Sequence, residues 1–280
     1  MDIRRRNNVV VTGRADGPTV VLAHGFGCDQ NMWRCVVPAL AERHRVVLFD
    51  YVGSGKADPA AWSEARYSGL AGYAQDVVEI CAELDLEGAA FVGHSVSAMI
   101  GVLAARSAPE RIGSLVMVAP SPCYIDDEGY RGGFSAEDID ELLASLESNY
   151  LGWSGAMAPV IMGNPERPEL GEELTNSFCA TDPEMARVFA RTTFLTDSRE
   201  DLKDVAVPTL VLECRQDAIA PREVGAYVHA AVPGSELVTL DATGHCPQLS
   251  SPEVTGAAIL AFLDGLRPAP IGTPPAEARR

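Results

Sequence analysis

Short runs of apolar, mostly β-branched residues alternate along this chain with longer stretches of helical period, and that alternation limits the folds open to it. The runs fall at 8–12, 18–23, 45–50 (RVVLFD), 89–93 (AAFVG), 114–119 (SLVMVA), 208–214 (PTLVLEC) and 235–240 (SELVTL). Most are apolar throughout, as strands are when helices cover both faces of their sheet. Helices are expected at 31–42, 67–85, 96–107, 221–231 and 251–265. In the second of these, Asp76, Val77, Ile80, Cys81 and Leu84 follow three- and four-residue spacing. A mostly parallel central sheet flanked by crossover helices follows, an α/β class of fold.

The pattern breaks after Pro120. Up to about Leu202 there is no β-branched run, only helix-like stretches near 135–150, 152–162, 169–180 and 182–195. We read 1–120 as the first part of a core, 121–202 as a helical cap inserted into it, and 203–266 as the second part. Residues 267–280 are rich in Pro and Ala and are expected to form a disordered tail.

Charge narrows the partners. Lys and Arg number 22 against 39 Asp and Glu, a net charge of −17, which would repel a nucleic-acid backbone. The basic cluster Arg4-Arg5-Arg6 is read as a solvated start. The valine run after it is too short for a signal peptide, and no stretch approaches the roughly 20 apolar residues that span a bilayer. A cytoplasmic protein without a membrane partner is expected. The seven cysteines lack C-x-x-C spacing and are odd in number, which suggests reduced, mostly buried thiols.

Chemistry concentrates in FVGHSVSAMIG (91–101). A strand gives way to a helix at Gly93-His94-Ser95-Val96-Ser97, the setting of a nucleophile elbow that projects the Ser95 hydroxyl from the strand's C-terminal end. A serine needs a base, and the candidates are His24, His44, His94, His229 and His245. His94 adjoins Ser95 and should point away from it. His44 and His229 sit at helix ends, where surface capping is the plain account. His245 follows the last strand and so reaches the same sheet edge as Ser95. The carboxylate that would orient it is Asp217, in the loop after 208–214. Asp241 competes, but it ends the strand leading to His245 and reads as a rim residue. The run HGFG (24–27) then supplies an oxyanion hole, with the Phe26 N–H paired with that of Val96. No G-x-G-x-x-G or G-K-[ST] pattern supports a phosphate site. No metal or organic cofactor is expected, since no two histidines share ligand spacing.

With these parts placed, residues 8–266 resemble the α/β-hydrolase fold superfamily. The chain is most similar to the RsbQ-like subfamily, which contains a bacterial stress-response regulator and the plant karrikin and strigolactone receptors. HGFGCDQNMW (24–33), LFDYVGSGKAD (48–58), FVGHSVSAMIG, SPCYIDDEGYRGGF (121–134), NYLGW (149–153), FCATDPEMAR (178–187) and GHCPQLSSP (244–252) carry the likeness. It implies a Ser95–His245–Asp217 triad beneath a helical lid. It also implies a largely apolar cavity lined by Phe26, Phe134, Trp153, Phe178, Phe189 and Phe194. The implied substrate is a small apolar ester or lactone, hydrolysed slowly by a sensor whose partner is a PAS-domain signalling protein. A metabolic esterase, a carbon–carbon bond hydrolase or a perhydrolase would use the same parts, and a small-molecule binding protein would keep the fold without the chemistry. Ser97 departs from the superfamily's usual glycine, which bears on packing between helix and strand and leaves the chemistry intact.

Overall fold

The computed structural model describes residues 2–266; the tail expected at 267–280 lies outside them. Seven strands form one sheet: β1 (Val10–Gly13), β2 (Thr19–Ala23), β3 (Arg45–Leu48), β4 (Ala89–His94), β5 (Ile112–Val118), β6 (Thr209–Gln216) and β7 (Glu236–Thr243). Their spatial order is β1-β3-β2-β4-β5-β6-β7, and only β1 runs antiparallel to its neighbour. β1 and much of β7 are exposed, as edge strands are, while β4 is buried along its whole length.

Alternate residues of the strands feed two cores. Val20, Leu22, Val92, Val116 and Leu212 face one, with Leu40, Ile259 and Phe262 from the helices on that side. Val21, Ala23, Phe91, Leu115 and Val211 face the other, packed against Val77, Ile80, Met99 and Val228. The period of two along each strand is what divides them.

The helices in chain order are α1 (Ile3–Arg6), α2 (Val37–Ala41), α3 (Glu64–Tyr67), α4 (Leu70–Glu83), α5 (Val96–Ser107), α6 (Ala136–Ser148), α7 (Tyr150–Met162), α8 (Pro168–Ala180), α9 (Pro183–Phe194), α10 (Arg222–Ala231), α11 (Pro247–Ser250) and α12 (Pro252–Gly265). Two expected helices are interrupted. The stretch 67–85 breaks at Gly69, whose φ of −152° and ψ of 157° are extended. The stretch 31–42 becomes a 3₁₀ turn, Gln30–Trp33, followed by α2. Helices α6 to α9 occupy the region between β5 and β6; most of their buried apolar residues join the first core, while Phe189 joins the second. Ser135 begins α6 with a capping box shared with Asp138.

Two local expectations fail. Arg6 is buried and not part of a solvated start: it pairs with Asp76 at 3.1 Å and hydrogen-bonds Glu79. The same Asp76 carboxylate is fully buried and accepts from Arg66, Tyr67 and Asn7, which fastens α1 to α4. His44 is buried as well, with Nδ1 at 3.2 Å from the Leu40 carbonyl, because β3 begins at the next residue and draws the segment inward. Five cysteines are buried, Cys35 and Cys179 are exposed, and all seven are free thiols. Among the described residues, no helix is long and apolar enough to cross a membrane.

Asp76→Ala removes the acceptor that the buried Arg6 and the half-buried Arg66 share. Unfolding in urea should show a loss of about 3 kcal/mol, the scale of breaking a buried charge pair from one side.

Candidate active site

β4 ends and α5 begins at Ser95, where φ is 57° and ψ is −125°. A non-glycine residue holds that conformation only when its surroundings require it. Here the Ser95 N–H donates to the Val118 carbonyl at 2.8 Å, and the Ser95 carbonyl accepts from Ala98 at 2.9 Å. Gly93 permits the close strand–helix approach: a Cβ there would lie 2.4 Å from the Ser97 carbonyl oxygen.

Ser95, His245 and Asp217 come from three loops at the C-terminal edge of the sheet and form one hydrogen-bonded chain. Ser95 Oγ lies 2.8 Å from His245 Nε2, and His245 Nδ1 lies 2.8 Å from Asp217 Oδ2. With Nδ1–H donating to the carboxylate, Nε2 is left to accept the serine proton. The other Asp217 oxygen accepts the N–H groups of Ile219 and Ala220, at 2.8 and 3.1 Å, so the carboxylate is held at both ends. The side chains of His245 and Asp217 are 6 % and 0 % exposed. The competitor Asp241 lies within β7, is 81 % exposed at its side chain, and pairs with Arg215.

The loop carrying His245 is held from two directions. Its N–H donates to the Ile161 carbonyl at the end of α7 (2.9 Å), and its carbonyl accepts from His94 Nε2 at 2.7 Å. His94 thus points away from the Ser95 hydroxyl, as expected, and toward the His245 backbone. Burial first, and then the neighbouring His245, push the His94 pKa down to about 3, so its ring is neutral with Nε2–H donating.

Gly25 lies against the elbow. A Cβ on it would be 2.7 Å from His94 Nδ1 and 3.2 Å from Ser95 Cβ. The next residue, Phe26, therefore begins beside Ser95. Val96 is the first residue of α5, where an N–H has no acceptor within the helix.

Over these groups lies a narrow cavity of about 30 Å³, roughly the space of one water. Phe26, Phe178 and Phe194 line it with Leu174, Ile161 and Ile219. Three other expected lining residues stand elsewhere. Trp153 is behind the wall, its ring 5.4 Å from that of Phe178 and 6.2 Å from that of Phe26. Phe189 stacks on Tyr73 at 4.4 Å, and Phe134 is half-buried in a bridge with Ile125. Tyr124, absent from the sequence expectation, does line the cavity: its hydroxyl is 3.3 Å from Ser95 Oγ. Burial raises its pKa to about 12, which keeps the phenol protonated. Its place just after β5, at the edge that carries the other groups, was the available signal. A larger surface cleft of about 860 Å³ borders Asp217, Glu213 and Arg222 but includes neither Ser95 nor His245.

Strand order, elbow and hydrogen-bonded chain together define an α/β hydrolase, and a model of the alpha/beta hydrolase family matches residues 20–258. The chain belongs to that family. It is 39 % identical over 253 residues to karrikin insensitive 2 receptor CA of Petunia hybrida, covering 90 % of this chain and 93 % of the receptor. A strigolactone esterase of Arabidopsis thaliana is 37 % identical over 246 residues, with 88 % and 91 % covered. Among solved structures, a hydrolase from Oleispira antarctica superposes with a TM-score of 0.92 at 42 % identity, over 94 % of this chain and 96 % of the other.

The depressed His94 pKa has a consequence for stability. The unfolded chain takes up a proton on this histidine near pH 6.5, while the folded chain refuses it until about pH 3. The contribution is therefore complete above pH 6.5 and lost as pH falls through that window. Between pH 7 and 5 the wild type should lose about 2 kcal/mol more than His94→Gln, as measured by urea unfolding at each pH.

Proposed function

We propose that this chain is a serine hydrolase of small apolar esters or lactones that acts as the ligand-sensing part of a signalling system. The observation carrying the chemistry is the 2.8 Å and 2.8 Å chain from Ser95 through His245 to Asp217, set against a narrow apolar cavity. Ser95 Oγ attacks the carbonyl carbon while His245 Nε2 takes its proton, and Asp217 stabilises the imidazolium. The Phe26 and Val96 N–H groups bind the oxyanion. His245 returns the proton to the leaving oxygen, and water attacks the acyl-enzyme with His245 again as base.

Two observations support the substrate class. The wall is mostly aromatic and aliphatic, and no Asp, Glu, Lys or Arg side chain lines it. Its small free volume favours a short acyl group, or a ligand whose entry displaces Phe178 or Leu174. Sensing rests on the likeness to receptors and on the contacts between the helices over the site and its catalytic loops. The protein partner would be a signalling protein of the PAS-domain kind, as in the bacterial relative that the chain resembles.

Ser95→Ala should lower turnover of p-nitrophenyl acetate on the order of 10⁴-fold and abolish labelling by a fluorophosphonate. Labelling that persists in the variant would sink the assignment. A second expectation concerns the wall. Phe178→Leu should raise the kcat/KM ratio of p-nitrophenyl butyrate to acetate by about tenfold, since one or two methylenes in an apolar pocket discriminate on that scale. An unchanged ratio would remove Phe178 from the acyl site.

A further inference from the structure

We propose that Ser97 is a positioning residue for the oxyanion hole: with Tyr51 and His24 it fixes the plane of the Gly25–Phe26 peptide, and so aims the Phe26 N–H. The proposal rests on the serine-hydrolase reading above and deepens it.

The argument begins with peptide geometry. The peptide joining Gly25 to Phe26 is planar and trans, so its C=O and N–H point in opposite directions. Whatever holds the Gly25 carbonyl therefore sets the direction of the Phe26 N–H. That carbonyl lies 2.9 Å from His24 Nδ1 and accepts the Cys28 N–H at 3.3 Å. His24 can donate from Nδ1 because its Nε2 accepts the Tyr51 backbone N–H at 3.1 Å. Burial lowers the His24 pKa, which keeps the ring in this neutral form.

The preceding peptide is held by Ser97. Its hydroxyl donates to the His24 carbonyl at 2.5 Å and accepts from the Tyr51 hydroxyl at 3.0 Å. Both side chains are fully buried, and the two rings of His24 and Tyr51 meet edge-on at 5.0 Å. Burial raises the Tyr51 pKa, so the phenol stays a donor. A run of bonds results: Tyr51 O–H to Ser97 Oγ, Ser97 O–H to the His24 carbonyl, His24 Nδ1–H to the Gly25 carbonyl.

Position completes the case. Ser97 follows Val96, the other N–H of the hole, on the first turn of α5. The hydroxyl thus ties the helix bearing one donor to the loop bearing the other and sets their spacing. Glycine, the usual residue at this position in the superfamily, would leave the His24 carbonyl without this donor and strand the Tyr51 hydroxyl in an apolar surround. On this account Ser97 is part of the catalytic arrangement without touching the substrate.

The test compares wild type, Ser97→Ala, Tyr51→Phe and Ser95→Ala on p-nitrophenyl acetate, and measures inhibition by a methyl trifluoromethyl ketone, whose hemiketal oxyanion occupies the hole. Ser97→Ala should lower kcat about tenfold, less than deleting a donor outright, with KM within about twofold. The ketone's inhibition constant should rise by the same factor as kcat falls. Tyr51→Phe should move both quantities in the same direction by about threefold, since Ser97 keeps its bond to His24. A Ser97→Ala kcat close to wild type, or a fall in kcat with ketone affinity unchanged, overturns the proposal. If Ser97→Ala does not fold, Tyr51→Phe decides alone, and wild-type kcat and ketone affinity in it overturn the proposal. Turnover retained by Ser95→Ala would instead overturn the hydrolase reading on which this one stands.

Discussion

The backbone at Ser95, with φ at 57° and ψ at −125°, occupies a region that an L-residue enters only under constraint, at a cost of about 1–3 kcal/mol. Every neighbouring element contributes to holding it there. β5 accepts the Ser95 N–H through Val118, and α5 closes on the Ser95 carbonyl through Ala98. Gly93 lets helix and strand backbones meet at a distance that no Cβ would permit. The strain has a return in geometry: the hydroxyl stands clear of the strand end, and the N–H of Val96 is left free of the helix. The parallel strands β6 and β7, both beyond β5 from β4, then deliver Asp217 and His245 to that same edge, because each parallel strand ends there and its loop must turn there.

The helices between β5 and β6 are fastened to this machinery by polar bonds as well as packing. α7 ends by accepting the His245 N–H on the Ile161 carbonyl, and Asn164 just beyond donates to the Thr243 carbonyl at 2.9 Å. On α8, Ser177 donates to the Gly27 carbonyl at 2.8 Å, while Tyr150 of α7 donates to the Phe178 carbonyl at 2.9 Å. α7 therefore holds the loop carrying His245, and α8 holds the HGFG loop. A shift of α7 or α8 has to break or drag these contacts, so the state of the helices and the geometry around Ser95 are one variable.

What was legible in the sequence was whatever local pattern decides. The seven apolar runs became the seven strands, and α5 spans the same 96–107 that its periodicity predicts. Ser95, His245 and Asp217 were legible because each stands just after a strand, a placement that topology converts into proximity. The parts that stayed hidden depend on contacts between segments far apart in the chain. Tyr124 reaches Ser95 only because the segment after β5 folds back over the edge. Trp153 and Phe189 are aromatic residues of the cap, and nothing local separates a residue that lines a cavity from one that backs its wall. Arg6 looks solvated beside Arg4 and Arg5 in the sequence, and only the fold brings it the buried partner Asp76 from far along the chain. The Ser97 hydroxyl looked like a mild departure in packing, and its partners on His24 and Tyr51 lie 73 and 46 residues away.

The small cavity and the oxyanion donors bear on each other through dielectric. Inside about 30 Å³ walled by Phe26, Phe178 and Leu174, little water can screen a developing negative charge. Fixed N–H dipoles act there with more force than in solvent, and they need no reorganisation as the charge appears. That advantage depends on the wall staying closed, while a substrate larger than a water must part it to enter. A wall that opens for entry and closes for reaction would place opposite demands on Leu174 and Phe178, both on α8. α8 is also bonded through Ser177 to the Gly27 carbonyl, so the wall of the cavity and the HGFG loop are joined by one helix.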